Sequence, residues 1–382
     1  MANIIVFSFV AAGFLFGSHA SFAKESVNPN PVRNMFIDAV ASDTVPGISV
    51  AVADKTGVIW AEGFGYADLE NKVPMSPLHK LRIGSVAKVM TAAAMMRMVE
   101  QSKIDLDAPV TQYTPLWPDF HPTITLRQLA AHTSGVRHYK QGADEFLLNQ
   151  AFSDIKSALA LFKDEPLLFT PGTQHQYTTF GWTLVSAAME GADKQRNFQQ
   201  IMQQEVFEPL KLQDTVFDEQ YPIIAHRARP YSFYQGQLLN SPQTDHSYKW
   251  AGGGFIATPS DVVRFAVSQL DETYLSATTT NLMFKKAILQ DGSEVNFGVG
   301  WQIGFEPLKQ NKAYQAKELQ SMMSTMPHVV MHSGGSMGGT TMLILCTEHA
   351  RAVTVVKNVN GDKSANVFLL ALKALSFYHN HH

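Results

Sequence analysis

The chain of 382 residues holds one cysteine, Cys346, and that scarcity excludes an internal disulfide, a zinc cluster or an iron–sulfur site. Cys346 closes the apolar run Thr341–Cys346 and reads as a small core hydrophobe. Charge is also scarce. Charged residues make up 16% of the chain, 30 basic against 33 acidic, for a net charge of −3. Without a basic excess, no nucleic-acid partner is expected. At 45% hydrophobic the chain is too apolar for intrinsic disorder. There is no H-E-x-x-H, no Walker loop and no G-x-G-x-x-G after a strand, so neither metal nor cofactor is expected. Gly252-Gly253-Gly254 reads as a close backbone approach, and the terminal His379-Asn380-His381-His382 as a frayed end.

No apolar run is long enough to span a bilayer, which takes ~20 residues. The longest, Ile4–Phe16, is 13 residues interrupted by Ser8, with small residues following to Ala23. This pattern predicts a signal peptide over residues 1–23, cleaved after Ala23 or Ala20, and hence an exported, periplasmic or secreted protein. An uncleaved anchor is the alternative, because no Lys or Arg precedes the run.

Strand signals stand at both ends of the remaining chain. Gly47–Ala53 and Val58–Phe64 flank a Lys55-Thr56-Gly57 turn, and Phe297–Ile303, His328–His332, Thr340–Thr347 and Arg351–Asn358 follow late. A helix is predicted from Ser85 to Glu100 and a last one over residues 363–378. Pro109, Pro115, Pro118 and Pro122 mark entry into a helical middle, where Thr125 and Ser153 are expected to cap short helices. The expected fold class is α+β: an antiparallel sheet flanked by N- and C-terminal helices. Its sheet domain comprises 24–108 and 285–382, and the helical domain comprises 109–284.

The chemistry candidate is Ser85-Val86-Ala87-Lys88. Residues three apart share a helix face, so the Lys88 amine would lie beside the Ser85 hydroxyl. A serine becomes a useful nucleophile only when a neighbour takes its proton, and a lysine does so only when its pKa is depressed. Spacing alone is weak evidence: 26 Ser and 20 Lys give ~1.4 S-x-x-K pairs by chance. Three occur, at Ser21, Ser85 and Ser153, and only Ser85 opens a helix with an Ala-rich, burying continuation. A rival, Gly334-Gly335-Ser336-Met337-Gly338, satisfies G-x-S-x-G. That motif requires strand, turn and helix, whereas a strand follows here. His132 and Ser134 read as turn and packing residues, Asp105 and Asp107 as helix-exit carboxylates, and Trp182, Trp250 and Trp301 as core.

Ser85-x-x-Lys88, Tyr177-Thr178-Thr179 and His332-Ser333-Gly334 occur in that order. Together they resemble the motifs of the serine β-lactamase/penicillin-binding superfamily, in its class C-like branch. Leu129–Gly135, Pro171-Gly172-Thr173 and Ala251–Gly254 extend the likeness. Gly135–Tyr139, Leu161–Pro166 and Ser247–Gly254 bring it nearest to LACTB-type serine β-lactamase-like proteins. The resemblance implies an acyl-enzyme on Ser85, with Lys88 and Tyr177 as the proton-transfer unit in an order left open. It implies an oxyanion hole from the backbone N–H groups of Ser85 and Gly335, and substrate contacts from Thr179, Ser333 and Gly334. His332 stands where the family more often has lysine, and its charge is expected to switch around pH ~6.5. Thr179 replaces the usual asparagine and lacks its amide donor, which argues against efficient β-lactam hydrolysis.

The resulting expectation is an exported serine hydrolase, a peptidase or amidase acting on a small peptide, ester or β-lactam. A D-alanyl-D-alanine carboxypeptidase, a weak β-lactamase or an esterase is the alternative. A penicillin-recognising or scaffold protein without turnover is the non-enzyme reading. Oligomeric state is left open.

Overall fold

The computed structural model describes residues 30–140, 144–309 and 312–380, so the expected signal segment lies outside the described residues. Seven strands form the main sheet in the order Gln302–Ile303, Val329–Ser336, Gly339–Cys346, Arg351–Lys357, Gly47–Asp54, Gly57–Asp68 and Val73–Pro74. Every neighbouring pair is antiparallel. The chain ends meet at the centre, where Ile48 pairs with Lys357 and Val52 with Val353.

Both faces of the central strands are covered, which explains why they read as near-continuous apolar runs. Side chains alternate between two cores, as a pleated strand requires. Val50, Val52, Ile344 and Val355 enter one core with Phe36, Leu372 and Leu375 from the helices Asn30–Val40 and Val367–Asn380. Ala51, Ala53, Leu343 and Ala352 enter the other with Phe265 of the helix Pro259–Ser268, which packs directly on the two central strands. That second core continues through Leu129, Trp182 and Phe255, so sheet and helical insert share one interior. The helix Ala87–Glu100 runs through it; Ala87 to Met96 and Met98 are fully buried, and an all-round apolar surface suits that position.

Several local expectations change. Asp154, not Ser153, caps the helix Ile155–Leu159, because its carboxylate accepts from the Ser157 N–H at 2.7 Å. Thr125 does cap Leu126–Ala130, in a reciprocal box with Gln128. Only Gln302–Ile303 survives of the strand expected from Phe297, since the chain folds back so that Phe297 pairs with Gln302. The last helix begins at Val367, where Asn366 Oδ1 accepts from two N–H groups of the first turn; Asp362 is drawn instead to the buried Lys357 at 2.8 Å. The helix Asn30–Val40 had no expectation attached to it. Among the described residues, no helix is long and apolar enough to cross a membrane.

Candidate active site

The chain leaves the short strand Leu81–Arg82, turns at Gly84 and enters a 3₁₀ turn, Gly84–Val86, that carries Ser85 into the helix. Gly84 has φ +52°, and a Cβ there would stand 2.7 Å from the backbone N and O of Gly335. Only glycine allows the Ser85 turn to lie flat against the strand Val329–Ser336. The backbones of Ser85 and Gly335 therefore border one cavity of about 290 Å³. His138, Tyr139, Phe146, Tyr177, Thr179 and Lys249 line its helical side. Gly84→Ala is expected to cost ~10²-fold or more in acylation rate, the scale of losing one oxyanion donor. The check is burst kinetics on folded variant, and an unchanged burst would separate this apposition from catalysis.

Lys88 is completely buried and makes three contacts. Its Nζ lies 3.1 Å from Ser85 Oγ and 3.2 Å from Thr179 Oγ1, and donates to the Gly252 carbonyl in a very short bond. Gly252 comes this close because it has no Cβ, which would meet Thr179 Cγ2 at 2.6 Å. Burial first, and the nearby Lys249 second, hold the Lys88 pKa well below its ordinary value. No carboxylate pairs with it among the described residues. A neutral amine has two N–H bonds and one lone pair. The Gly252 carbonyl, able only to accept, takes one N–H, and the Thr179 hydroxyl takes the second. In the neutral form, which the lowered pKa favours, the lone pair would then face the Ser85 hydroxyl.

Tyr177 stacks over this group, with Lys88 Nζ 5.0 Å from its ring centroid, and its hydroxyl is hydrogen-bonded to Ser85. Burial pushes its pKa up, and the Ser85 bond opposes this only partly. The phenol is therefore protonated at neutral pH. The next residue, Thr178, caps the helix Phe180–Asp193 by accepting from the Gly181 N–H at 3.1 Å, which leaves the Thr179 hydroxyl free for Lys88.

His332 departs from expectation. Burial, with Lys88 second, pushes its pKa down to about 3, so its charge does not switch near neutrality. Its Nδ1 lies 2.6 Å from the Ser333 carbonyl, which can only accept, so the proton sits on Nδ1. Nε2 is a buried acceptor without a partner among the described residues. The ring faces Tyr177 at 6.1 Å between centroids. Ser333 and Gly334 do not line the cavity. Gly334 backs onto the Ile83 carbonyl behind the Ser85 turn, and Ser333 is exposed with its carbonyl on His332. Ser336 does line it, but Met337-Gly338 forms a tight hairpin between two antiparallel strands, so the elbow's helix is absent there.

Three residues join the site without having been singled out for it. His132 lies under the Tyr177 ring at 4.3 Å and accepts from the Thr178 N–H at 3.1 Å. His138 lines the cavity. Lys249 is buried among aromatic rings, with Nζ 4.6 Å from the centroid of Phe146, 5.2 Å from Tyr248 and 5.7 Å from Tyr139. Burial, then Arg82, lowers its pKa to about 7. A lysine inside the aromatic stretch Ser247–Trp250, just ahead of three glycines, was the available signal.

Ser85, the buried Lys88 and Tyr177 thus meet beside the strand Val329–Ser336 of an antiparallel sheet, and comparison with known proteins assigns the family. The Beta-lactamase family model matches residues 32–375, and the chain belongs to that family of serine hydrolases. Human serine beta-lactamase-like protein LACTB, mitochondrial, is 28% identical, over 82% of this chain and 71% of the relative. The teichoic acid D-alanine hydrolase of Staphylococcus aureus is 24% identical, over 72% and 70%. In structure, the D-amino acid amidase from Ochrobactrum anthropi SV3 has the same fold. Its TM-score is 0.75 at 20% identity, covering 92% of this chain and 99% of that one.

Proposed function

We propose that the protein is an exported serine amidase or peptidase that forms an acyl-enzyme on Ser85. The observation that carries this is the buried Lys88, unpaired with any carboxylate and 3.1 Å from Ser85 Oγ. Lys88 takes the Ser85 proton as Oγ bonds to the scissile carbonyl carbon, and the carbonyl electron pair moves onto oxygen. The N–H groups of Ser85 and Gly335 receive that oxyanion, each such donor being commonly worth ~3–4 kcal/mol of barrier. On collapse the C–N bond breaks, Tyr177 hands its proton to the departing amine, and Lys88 restores the phenol. Water then repeats the sequence on the ester, leaving acid and free Ser85. Lys88 is the base in this scheme because Tyr177 stays protonated. The apolar segment Ile4–Phe16 supports export.

The cavity wall also bears on the substrate. Among the described residues it contains no acidic residue, and no carboxylate lies within ion-pair distance of Lys249, Asp218 acting on it only from farther off. A substrate carboxylate would supply one, which suits amides of amino acids or short peptides. The relatives named for D-alanine and D-amino acid chemistry support the same class. The test is steady-state turnover of a D-alanyl peptide, its carboxamide and a penicillin. Sustained turnover of the first two is expected, with slow release of penicillin, since Thr179 replaces the amide of the related motif. The peptide with a free carboxylate should lose kcat/KM as pH rises through about 7, where Lys249 gives up its charge. That descending limb should vanish in Lys249→Met. Folded protein that turns over none of the three contradicts the proposal.

A further inference from the structure

Thr179 leaves a gap in the site. Its hydroxyl accepts from Lys88 at 3.2 Å and is also bonded to the Tyr139 hydroxyl, and its backbone N–H points elsewhere, donating to His138 Nδ1 at 3.1 Å. Neither polar group of Thr179 remains to hold the part of a substrate that lies beside the scissile bond.

The bond to Nδ1 decides what His138 presents to the cavity. A backbone N–H can only donate, so Nδ1 is the bare nitrogen and the proton resides on Nε2. The two nitrogens lie on opposed edges of the imidazole, so with Nδ1 turned to the Thr179 backbone, Nε2–H points away from it. The ring is half-buried, lines the cavity and has no hydrogen-bond partner for Nε2 among the described residues. Its place is fixed. It stands edge-on to Tyr177 at 5.7 Å and 89°, and lies against Tyr139 at 4.3 Å. Its own carbonyl accepts from Arg137 at 3.0 Å, and Arg137 is clamped by Glu145 and Glu165, each at 2.9 Å. Burial and the neighbouring lysines keep the ring neutral at ordinary pH, so it carries one proton on one known nitrogen.

We infer that His138, through Nε2–H, donates to an amide carbonyl on the acyl side of the substrate, supplying the contact that Thr179 does not. The substrate class is then N-acylated amino acid or peptide derivatives, not simple acyl esters. This rests on the proposal that Ser85 is acylated, and makes His138 a substrate-binding residue of that site.

The test compares kcat/KM for two activated esters, N-acetyl-D-alanine p-nitrophenyl ester, which bears the acyl-side amide, and p-nitrophenyl butyrate, which does not. His138→Leu should lower the ratio of the first to the second by ~10–100-fold, the scale of leaving one polar group without its hydrogen bond. His138→Gln, which restores an amide N–H of similar reach, should recover most of the ratio. An equal loss on both esters, or a Gln variant no better than Leu, overturns the inference. Long-range ¹H–¹⁵N spectra of the wild-type imidazole provide a readout independent of any variant's folding. The Nε2–H tautomer is required, and Nδ1–H would contradict it. If wild-type protein acylates on neither ester, the Ser85 proposal fails first. If it acylates on both and the ratio does not move, only the role of His138 fails.

Discussion

Ser85→Ala is expected to abolish acyl-enzyme formation and to lower turnover by about 10⁴-fold or more, because in the proposed mechanism its Oγ carries the acyl intermediate. The remaining rate would come from the cavity and its oxyanion donors alone. Stability should change little. The Ser85 side chain is half-exposed and, among the described residues, its hydroxyl engages Lys88 and Tyr177, so the shift belongs with ordinary surface-type substitutions, within about 1 kcal/mol. Thermal unfolding beside active-site titration separates the two effects. A variant that unfolds normally and retains more than a hundredth of wild-type turnover would remove Ser85 from the chemistry.

Lys88→Met carries the second large effect, a loss of ~10³-fold or more in kcat/KM, since nucleophile and base act as a unit. Its pH signature is specific. The free amine is the active form, so wild-type kcat/KM on a substrate without a carboxylate should rise with pH as Lys88 deprotonates and level off far below the ~10.4 of an unperturbed lysine. His332, held near about 3, should add no inflection between pH 5 and 9. The sign for stability follows from the same depression. Between the folded and the unfolded pKa of Lys88 the unfolded chain binds the extra proton, so this lysine opposes folding at neutral pH and opposes it less as pH rises. Methionine removes that opposition while filling similar volume, so the variant should unfold no earlier than wild type at pH 7. A loss under tenfold, or an acid limb unchanged by the substitution, would exclude Lys88 as the base.

Lys88 and Tyr177 could be found in the sequence because their chemistry demands fixed local arrangements. A lysine three residues after a serine on a helix must share its face, and a tyrosine ahead of a helix start is a local pattern. The sheet was visible for a similar reason: Gly47–Asp54 and Arg351–Lys357, buried on both faces, are apolar along most of their length. His138 and Lys249 had no such signature. They enter the cavity only because Arg137 clamps one loop and aromatic packing seats the other, and those contacts join residues far apart in sequence. His332 shows the opposite failing. It lies beside the Tyr177 ring, yet its pKa depends on complete enclosure near Lys88, a property of packing that no motif records. Helix ends were the least legible, since Ser153 and Asp154 are equally good caps on paper. Only the backbone direction shows that the Asp154 carboxylate reaches the Ser157 N–H.

The central claim is that one serine, Ser85, is chemically activated by a neutral lysine. Intact-mass spectrometry after treatment with a fluorophosphonate probe, followed by peptide mapping, tests it most directly. A single adduct is predicted, on the peptide containing Ser85, absent from Ser85→Ala and retained in Ser336→Ala. An adduct on Ser336, or none on folded wild-type protein, would contradict the account.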